Sequence, residues 1–440
     1  MKSTLLPFFL FVSFICSAQS KKENIEQFEI YYRKSVEKLR ELYGMRGVQF
    51  VCDTSEIRGG FMREIEGFLE EYMSQKKVLG VLFYSHEKDS LRIWLYENGN
   101  LHYTSLKQTQ EQLIQLEFEL RHALNVTTMV TKRTVTLRGS EPEPDLKTER
   151  LPIAKAIKNS TDVLIPPAIR GPLQKLQHLF IIPEFNISQF PFHLLQPFDN
   201  KTYLVDKLSY SFAPHLCNLQ VFVKKNEMKV GNKNQLETRF PLIIGNPKFS
   251  KSSKYNLPPL PAAGAEADSI ASVLKTKAYK NAQASADTIL KYVSKTDFLY
   301  LATHGYFSFE KILDGSFLAF TPDANHPEGL LTAREIQNTK MKTEMAVLSA
   351  CQTGFGKVVP GGFIGLARAF YKSGVDFTIM SLWSVDDEKT KELMLLYMEE
   401  LQKPSYFYPA RPLQNAIKRF KENNPNPVYW APFAVFGFTY

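Results

Sequence analysis

The sequence predicts an α/β fold, a mostly parallel sheet flanked by helices on both faces with a smaller α+β region ahead of it, and three observations predict it. First, through the C-terminal half, apolar runs of four to seven residues alternate with stretches of helical periodicity, the order that builds parallel sheets. Second, residues 344–387 read as a complete strand, loop, helix, strand unit. An apolar run, Met345 to Ala350, stops at Cys351, glycines 354, 356, 361 and 362 break the pattern, and Phe363, Leu366, Ala367 and Phe370 recur at helical spacing. Gly374 suits a left-handed helix stop, and a second buried run spans Phe377 to Trp383. Third, a similar run, Phe298 to Ala302, ends in Thr303, His304 and Gly305, 47 residues before Cys351. In open parallel sheets chemistry collects at the carboxyl ends of strands, so His304 and Cys351 are the candidate active pair.

The 440 residues suggest two or three folding units at roughly 150 residues each. With 44% hydrophobic and 22% charged residues, the chain has the composition of a packed globular protein and not of a disordered one. The formal charge of +9 permits attraction to anionic surfaces. The Lys and Arg are scattered and not massed on one element, so nucleic acid is not an expected partner.

Residues 1–18 read as a secretory signal peptide. Lys2 supplies the positive start, Leu5 to Ile15 the apolar stretch, and Cys16-Ser17-Ala18 the small-residue cleavage pattern. A lipid anchor on Cys16 is a weaker reading because Phe14 and Ile15 stand where small residues are expected. No later stretch reaches the roughly 18 apolar residues a membrane span needs, so the mature chain is expected to be exported, periplasmic or secreted, without a permanent span. Cleavage leaves Cys52, Cys217 and Cys351, an odd count in which Cys351 is the expected free thiol. A Cys52 to Cys217 disulfide and two buried unpaired cysteines both stay open.

Along the chain, residues 19–77 form a helical extension: a helix from Ile25 to Tyr43, a short strand Val48 to Val51, and a helix from Phe61 to Met73. Residues 78–140 are a meander of three runs, Val78–Phe83, Leu91–Tyr96 and Leu101–Leu106, with a hairpin turn at Asn98-Gly99, followed by a helix over Gln108–Ala123. The proline-bearing stretch Ser140 to Asp145 is the linker. The main domain, 145–440, then offers strands at Leu179–Ile182, Tyr203–Phe212, Leu242–Ile244 and Phe298–Ala302. Phe317–Phe320 is read as extending the sheet, and Phe433–Phe438 as closing it. Helices are expected at Leu216–Val223, Ala265–Leu274 and Thr288–Val293, at Thr332 with its capping box, from Ser384–Asp387 through Leu401, and at Leu413–Phe420. Lys224 to Arg239, poor in apolar residues, is expected to be a mobile exposed loop. No repeat of 20 to 50 residues is visible.

Several stretches together resemble the CHAT domain family of caspase-like cysteine peptidases, relatives of separases and gingipains. They are LPAAGAEADSIASVL from Leu260, DFLYLATHGYFS from Asp297, AVLSACQTGFGKVVPGGFIGLARAFYKSGV from Ala346, SLWSVDDEKTKELM from Ser381 and PNPVYWAPFAVFG from Pro425. HLFIIPEFNISQFPFHLLQP from His178 and YLVDKLSYSFAP from Tyr203 look like the family's first strands, and the meander like its lead-in. The resemblance implies a caspase-like sheet, a protein or peptide substrate, no organic cofactor, and a dyad in which Cys351 is the nucleophile and His304 the acid/base. It also implies an oxyanion hole from the backbone N–H groups of Gly305 and Cys351.

Peptide cleavage needs a nucleophile, a proton donor for the leaving amine, and donors for the oxyanion. A thiol with a pKa near 8.5 is only a few per cent ionised at neutral pH, so an adjacent imidazole must raise its reactivity. Read singly, a buried cysteine or histidine is ordinary core; the two motifs together make the catalytic case. Asp386 and Asp387 follow Trp383, at the end of a predicted strand, and these residues could reach a substrate side chain, although the two acids are also natural helix caps. Ser349 stands two positions before the nucleophile, where relatives that cut after basic residues place an acid, so no acid-lined pocket is expected from that position. Gly354-Phe355-Gly356-Lys357 fails as a phosphate loop: the required first glycine falls at Cys351, and Val358 replaces the hydroxyl residue. His193, His215 and His326 lack metal-ligand spacing, so no metal is expected. The expected function is exported cysteine endopeptidase. The alternatives are a catalytically silent protein-interaction module on the same fold and acyl transfer to an amine by the same dyad.

Overall fold

The computed structural model describes residues 23–34, 37, 79–126, 150–213, 235–250, 255, 257–308, 311–350, 356–359, 362–383, 386–405 and 408–437. Cys52, Cys217, His215 and Cys351 lie outside the described residues, as do the signal segment, the elements expected at 48–51, 61–73 and 216–223, the 140–145 linker and the 224–234 part of the expected loop.

Eleven strands form one sheet. In chain order its members are β1 (Leu79–Glu87), β2 (Ser90–Glu97), β3 (Asn100–Lys107), β4 (His178–Ile182), β5 (Ser209–Phe212), β6 (Pro241–Pro247), β7 (Ala278–Asn281), β8 (Phe298–Thr303), β12 (Met345–Ala350), β15 (Phe377–Ser381) and β16 (Phe433–Phe436). The spatial order is β3-β2-β1-β4-β5-β16-β15-β12-β8-β6-β7. From β15 to β7 every neighbouring pair is parallel. β1, β4, β5 and β16 are parallel to one another as well. The two halves meet antiparallel where Ser381 of β15 pairs with Phe433 of β16. The meander is continuous with the main sheet, because β1 pairs in parallel with β4 from Leu79↔His178 to Phe83↔Ile182.

Parallel strands covered on both faces are largely apolar, which is why β8, β12 and β15 read as near-continuous apolar runs. All six residues of β8 are buried, and in β12 only Ser349 keeps partial exposure. The helices are α1 (residues 23–34), α2 (Gln110–Ala123), α3 (Ile153–Leu164), α4 (Pro167–Leu173), α5 (Leu204–Lys207), α6 (Pro261–Val273), α7 (Ala286–Tyr292), α8 (Ile312–Gly315), α9 (Ala333–Asn338), α10 (Leu366–Ser373), α11 (Asp387–Leu401), α12 (Ala410–Asn423) and α13 (Pro427–Trp430). Gly245 lets α6 lie directly on β6: a Cβ there would stand 2.5 Å from Ala267 Cβ and 2.6 Å from Ala263 O. Gly374 ends α10 at φ +109°, the left-handed stop its sequence position suggests.

Three expectations need correction. Tyr203–Phe212 is not one strand, because Asp206 accepts the Tyr203 N–H at 2.9 Å and closes a short helix, α5, before β5 begins at Ser209. Phe317–Phe320 does not extend the main sheet. Its Phe317–Ala319 portion is β10, which pairs with β9 (Gly305–Tyr306) and β11 (Leu330–Thr332) in a separate three-stranded sheet. Phe363 is not helical: Gly362–Gly365 is β14, paired antiparallel with β13 (Gly356–Val359), and the helix begins at Leu366.

The lead-in is tied mechanically to the sheet's centre. Arg121 of α2, 4% exposed, donates to Leu382 O and to Gln189 O at 3.0 Å each and to Glu117 at 2.9 Å, and its guanidinium lies over the Trp383 ring. A buried cation with its donors directed at two carbonyls and a carboxylate fixes the segment that follows β15.

Candidate active site

β8 and β12 are neighbours in register, from Met345↔Phe298 to Ala350↔Thr303. The last residues of the two strands pair with each other, so the next residue in each chain segment, His304 in one and Cys351 in the other, is one peptide unit beyond a shared row. Ser381 Oγ, at the end of β15, lies 3.2 Å from Ala350 O and 2.9 Å from Trp383 O, pinning the carbonyl that precedes Cys351.

His304 is partly exposed and its tautomer is set by its partner. Nε2 is 2.9 Å from Pro258 O. A carbonyl only accepts, so Nε2 carries the proton and Nδ1 is left with its lone pair. The Phe249 ring packs at 4.9 Å between centroids. Burial pushes the imidazole below its usual range, opposed by the bond to Pro258 and by the charge of Asp387. The ring is therefore neutral at pH 7 and able to take a proton at Nδ1. Thr303 Oγ1 donates to Ala319 O, and Ala319 N donates to His304 O at 2.9 Å, which locks the chain on either side of the ring. In an antiparallel pair, donors alternate in direction, so Gly305, one residue after a bonded position, turns its N–H away from β10.

Beside this row lies a cavity of about 40 Å³, lined by Leu260, Ala263 and Glu266 of the α6 segment, Thr303, Ser349 and Ala350 at the strand ends, Ser381, Asp387, Thr390 and Phe433. Glu266 is 4% exposed, accepts from Tyr300 Oη at 2.6 Å, and is hydrogen-bonded to Ser349. Burial raises its carboxyl to about 7 against those two hydroxyls, which favour the ionised form. Asp387, exposed, is raised by burial and by the neighbouring charge of Asp386.

The structure separates the two acids of the 386–387 pair. Asp386 is the N-cap of α11, accepting Lys389 N at 3.1 Å, whereas Asp387 lines the cavity. Trp383 is 1% exposed and donates Nε1 to Val428 O at 3.0 Å, so it underlies the site and does not line it. Ser349 lines the cavity, and its hydroxyl is engaged by Glu266. Pro258 and Glu266 escaped sequence reasoning; the second lies inside the LPAAGAEADSIASVL stretch, where only its residue type could have signalled it. Away from this edge, His326 sits 3.0 Å from Asp323 Oδ1, 3.7 Å from Asp287 Oδ1 and 3.3 Å from Glu335 Oε1. Asp323 also accepts the N–H groups of Asn325, His326 and Asp287, the work of a capped turn.

An eleven-stranded, mostly parallel sheet with helices on its faces, and a histidine at a central strand's carboxyl end, is the caspase-like fold. The structure is similar to that of separase in the Saccharomyces cerevisiae separase–securin complex, with a TM-score of 0.50 and 11% identity, over 85% of this chain and 31% of that one. It is similar also to Porphyromonas gingivalis RgpB, in the complex of its pro- and mature domains, with a TM-score of 0.41 and 11% identity over 75% of this chain and 76% of that one. At 11% identity the likeness to separase is one of fold. The particular family follows from sequence: the CHAT domain profile matches residues 155–438, and the chain belongs to that family. It is 22% identical over 302 residues to tetratricopeptide repeat protein 28 of Homo sapiens, and 21% to that of Mus musculus. The match takes in 61% of this chain and 12% of the relatives, so the chain spans about an eighth of their length.

Proposed function

We propose that this protein is an exported caspase-like cysteine endopeptidase in which Cys351 is the nucleophile and His304 the acid/base. The observation that carries the reading is the in-register pairing of β8 with β12, which makes His304 and Cys351 the successors of one paired row. His304 is held at Nε2 by Pro258 O, so Nδ1 is the nitrogen that takes the thiol proton. The sulfur then bonds to the scissile carbonyl carbon, and the N–H groups of Gly305 and Cys351 hold the resulting oxyanion. As the C–N bond breaks, Nδ1 gives its proton to the departing amine. Water, deprotonated by the same nitrogen, hydrolyses the thioester and restores the thiol. No step needs an organic cofactor or a metal.

The reading is tested by digesting a peptide library with the wild-type protein beside Cys351→Ala. Cuts made by the first and absent from the second support it. Cuts made by both come from another protein, and cuts by neither favour a silent interaction module. An added amine appearing in the products in place of water would identify acyl transfer.

A further inference from the structure

Glu266 is 4% exposed, and its carboxyl is held by two hydroxyls, Tyr300 and Ser349, beside the row that carries the dyad. Burial opposes the charged form of a carboxyl, and these two bonds offset that only in part. The cavity it lines has a second carboxylate, Asp387, and four hydroxyl residues, Thr303, Ser349, Ser381 and Thr390; among the described residues none of its lining side chains is cationic. The apolar walls are Leu260, Ala263, Ala350 and Phe433. Two acids in a narrow apolar-walled recess create a negative potential that low-dielectric walls strengthen. The space would hold about three waters, or the tip of one long side chain.

We propose that this recess is the pocket that selects a substrate side chain, and that it takes a cationic one, lysine or arginine, with buried Glu266 and exposed Asp387 as its specificity-determining groups. The assignment rests on the peptidase reading and deepens it. The acid that position 349 does not supply comes instead from α6, and Ser349 holds its carboxylate by a hydrogen bond.

The charged and titratable groups around Glu266 are the Tyr300 hydroxyl from β8, Asp387 and Lys391 from α11, and His304, whose charge couples to Asp387. Asp387 favours the protonated form of Glu266 and Lys391 the ionised form. With its carboxyl poised at about 7, Glu266 gains charge between pH 6 and pH 8, and preference for a cation rises across that interval.

The test uses two peptidyl acyloxymethyl ketones alike except at the side chain beside the ketone, one lysine and one norleucine, which share a straight four-carbon chain and differ by the terminal ammonium. The Cys351 thiolate bonds to the methylene carbon as the C–O bond breaks and the carboxylate leaves, and peptide mapping by mass spectrometry locates the adduct. Expected is labelling of Cys351 about 10- to 100-fold faster by the lysine probe, with the ratio rising from pH 6 to pH 8. Glu266→Gln should collapse the ratio, and Asp387→Asn, at an exposed position, should reduce it in a protein that folds. Equal or faster labelling by norleucine in wild type overturns the pocket while leaving the peptidase reading intact. So does an unchanged ratio in both variants. Labelling of Cys351 by neither probe overturns the peptidase reading, and the pocket falls with it.

Discussion

The sheet carries histidines along one edge in both of its halves and uses them differently. Because β15 and β16 run antiparallel, with Ser381 opposite Phe433, the amino ends of β16, β5 and β4 face the same way as the carboxyl ends of β15, β12 and β8. His304 follows the end of β8, and His178 begins β4 on that same edge. His178 is fully buried, with Nδ1 2.9 Å from Ser209 Oγ and its ring edge-on to Phe180. Burial pushes it well below its usual range, helped by the charge of Arg411. His193, 2% exposed and 3.0 Å from Phe433 O, is lowered to about 3. What differs is the cover. On the β4–β5 side, α12 closes the edge, with Arg411 donating to Gln177 O at 2.7 Å and Gln414 to Val205 O at 2.7 Å. On the β8–β12 side a cavity remains open beside His304. The same side chain is thus scaffold where a helix lies over the strand ends, and under the proposed mechanism it is the reagent where a cavity stays open.

The sharpest way to break this contrast is to remove each imidazole. His304→Ala should lower peptide cleavage by about 10²- to 10⁴-fold with little change in unfolding temperature. His178→Ala should do the reverse, costing about 1–3 kcal/mol of stability by removing a buried ring and its bond to Ser209, with cleavage per folded molecule retained. If His178→Ala abolished cleavage in a fully folded protein, the division of the edge would be wrong.

A larger deletion tests how the halves depend on each other. A chain starting at residue 145 lacks β1, and with it the parallel partner of β4 and the buried side chains of Leu79, Val81, Leu82, Phe83 and Tyr84. We expect loss of the cooperative unfolding transition in calorimetry; a transition at the full-length temperature would show that the lead-in is dispensable.

Acid sharpens the comparison by a smaller amount. His193 has a folded-state pKa below that of the unfolded chain, so the unfolded state binds more protons and stability falls as pH drops below about 6.5. The loss is about 1.4 kcal/mol per pH unit for this group, continuing toward pH 3, and His193→Gln should flatten that limb of a denaturation series. Glu266 has the opposite sign: its raised pKa stabilises fully below about 4.5 and the contribution is lost as pH rises through about 7. The smallest expected effect is at the capping box of α9, where Thr332 Oγ1 accepts Glu335 N and Glu335 accepts Thr332 N. Thr332→Ala should cost about 1 kcal/mol in urea unfolding and leave cleavage unaffected.

What could be read from sequence follows from these forces. β8, β12 and β15 are legible because strands buried on both faces are nearly continuous in apolar residues, and the residue that stops each run is where polar chemistry begins. The sheet to which β10 belongs is not legible, because a three-residue strand has no periodicity to assign and its partners, β9 and β11, are no longer than it. Phe363 falls outside its expected helix because the helical spacing of Phe363, Leu366, Ala367 and Phe370 is overridden at its first member by the β13–β14 pairing. At the site, His304 announced itself within its own motif. Pro258 and Glu266 did not, since one acts through its carbonyl and the other through burial, neither of which a one-dimensional pattern records.

The most direct test of the central claim is the rate at which a substrate-like electrophile labels each cysteine in the folded protein, wild type beside His304→Ala. The account predicts rapid modification of Cys351 alone, falling by at least about 100-fold without the imidazole, while Cys52 and Cys217 react slowly in both. Modification of all three cysteines at similar rates, or a Cys351 rate indifferent to His304, would contradict it.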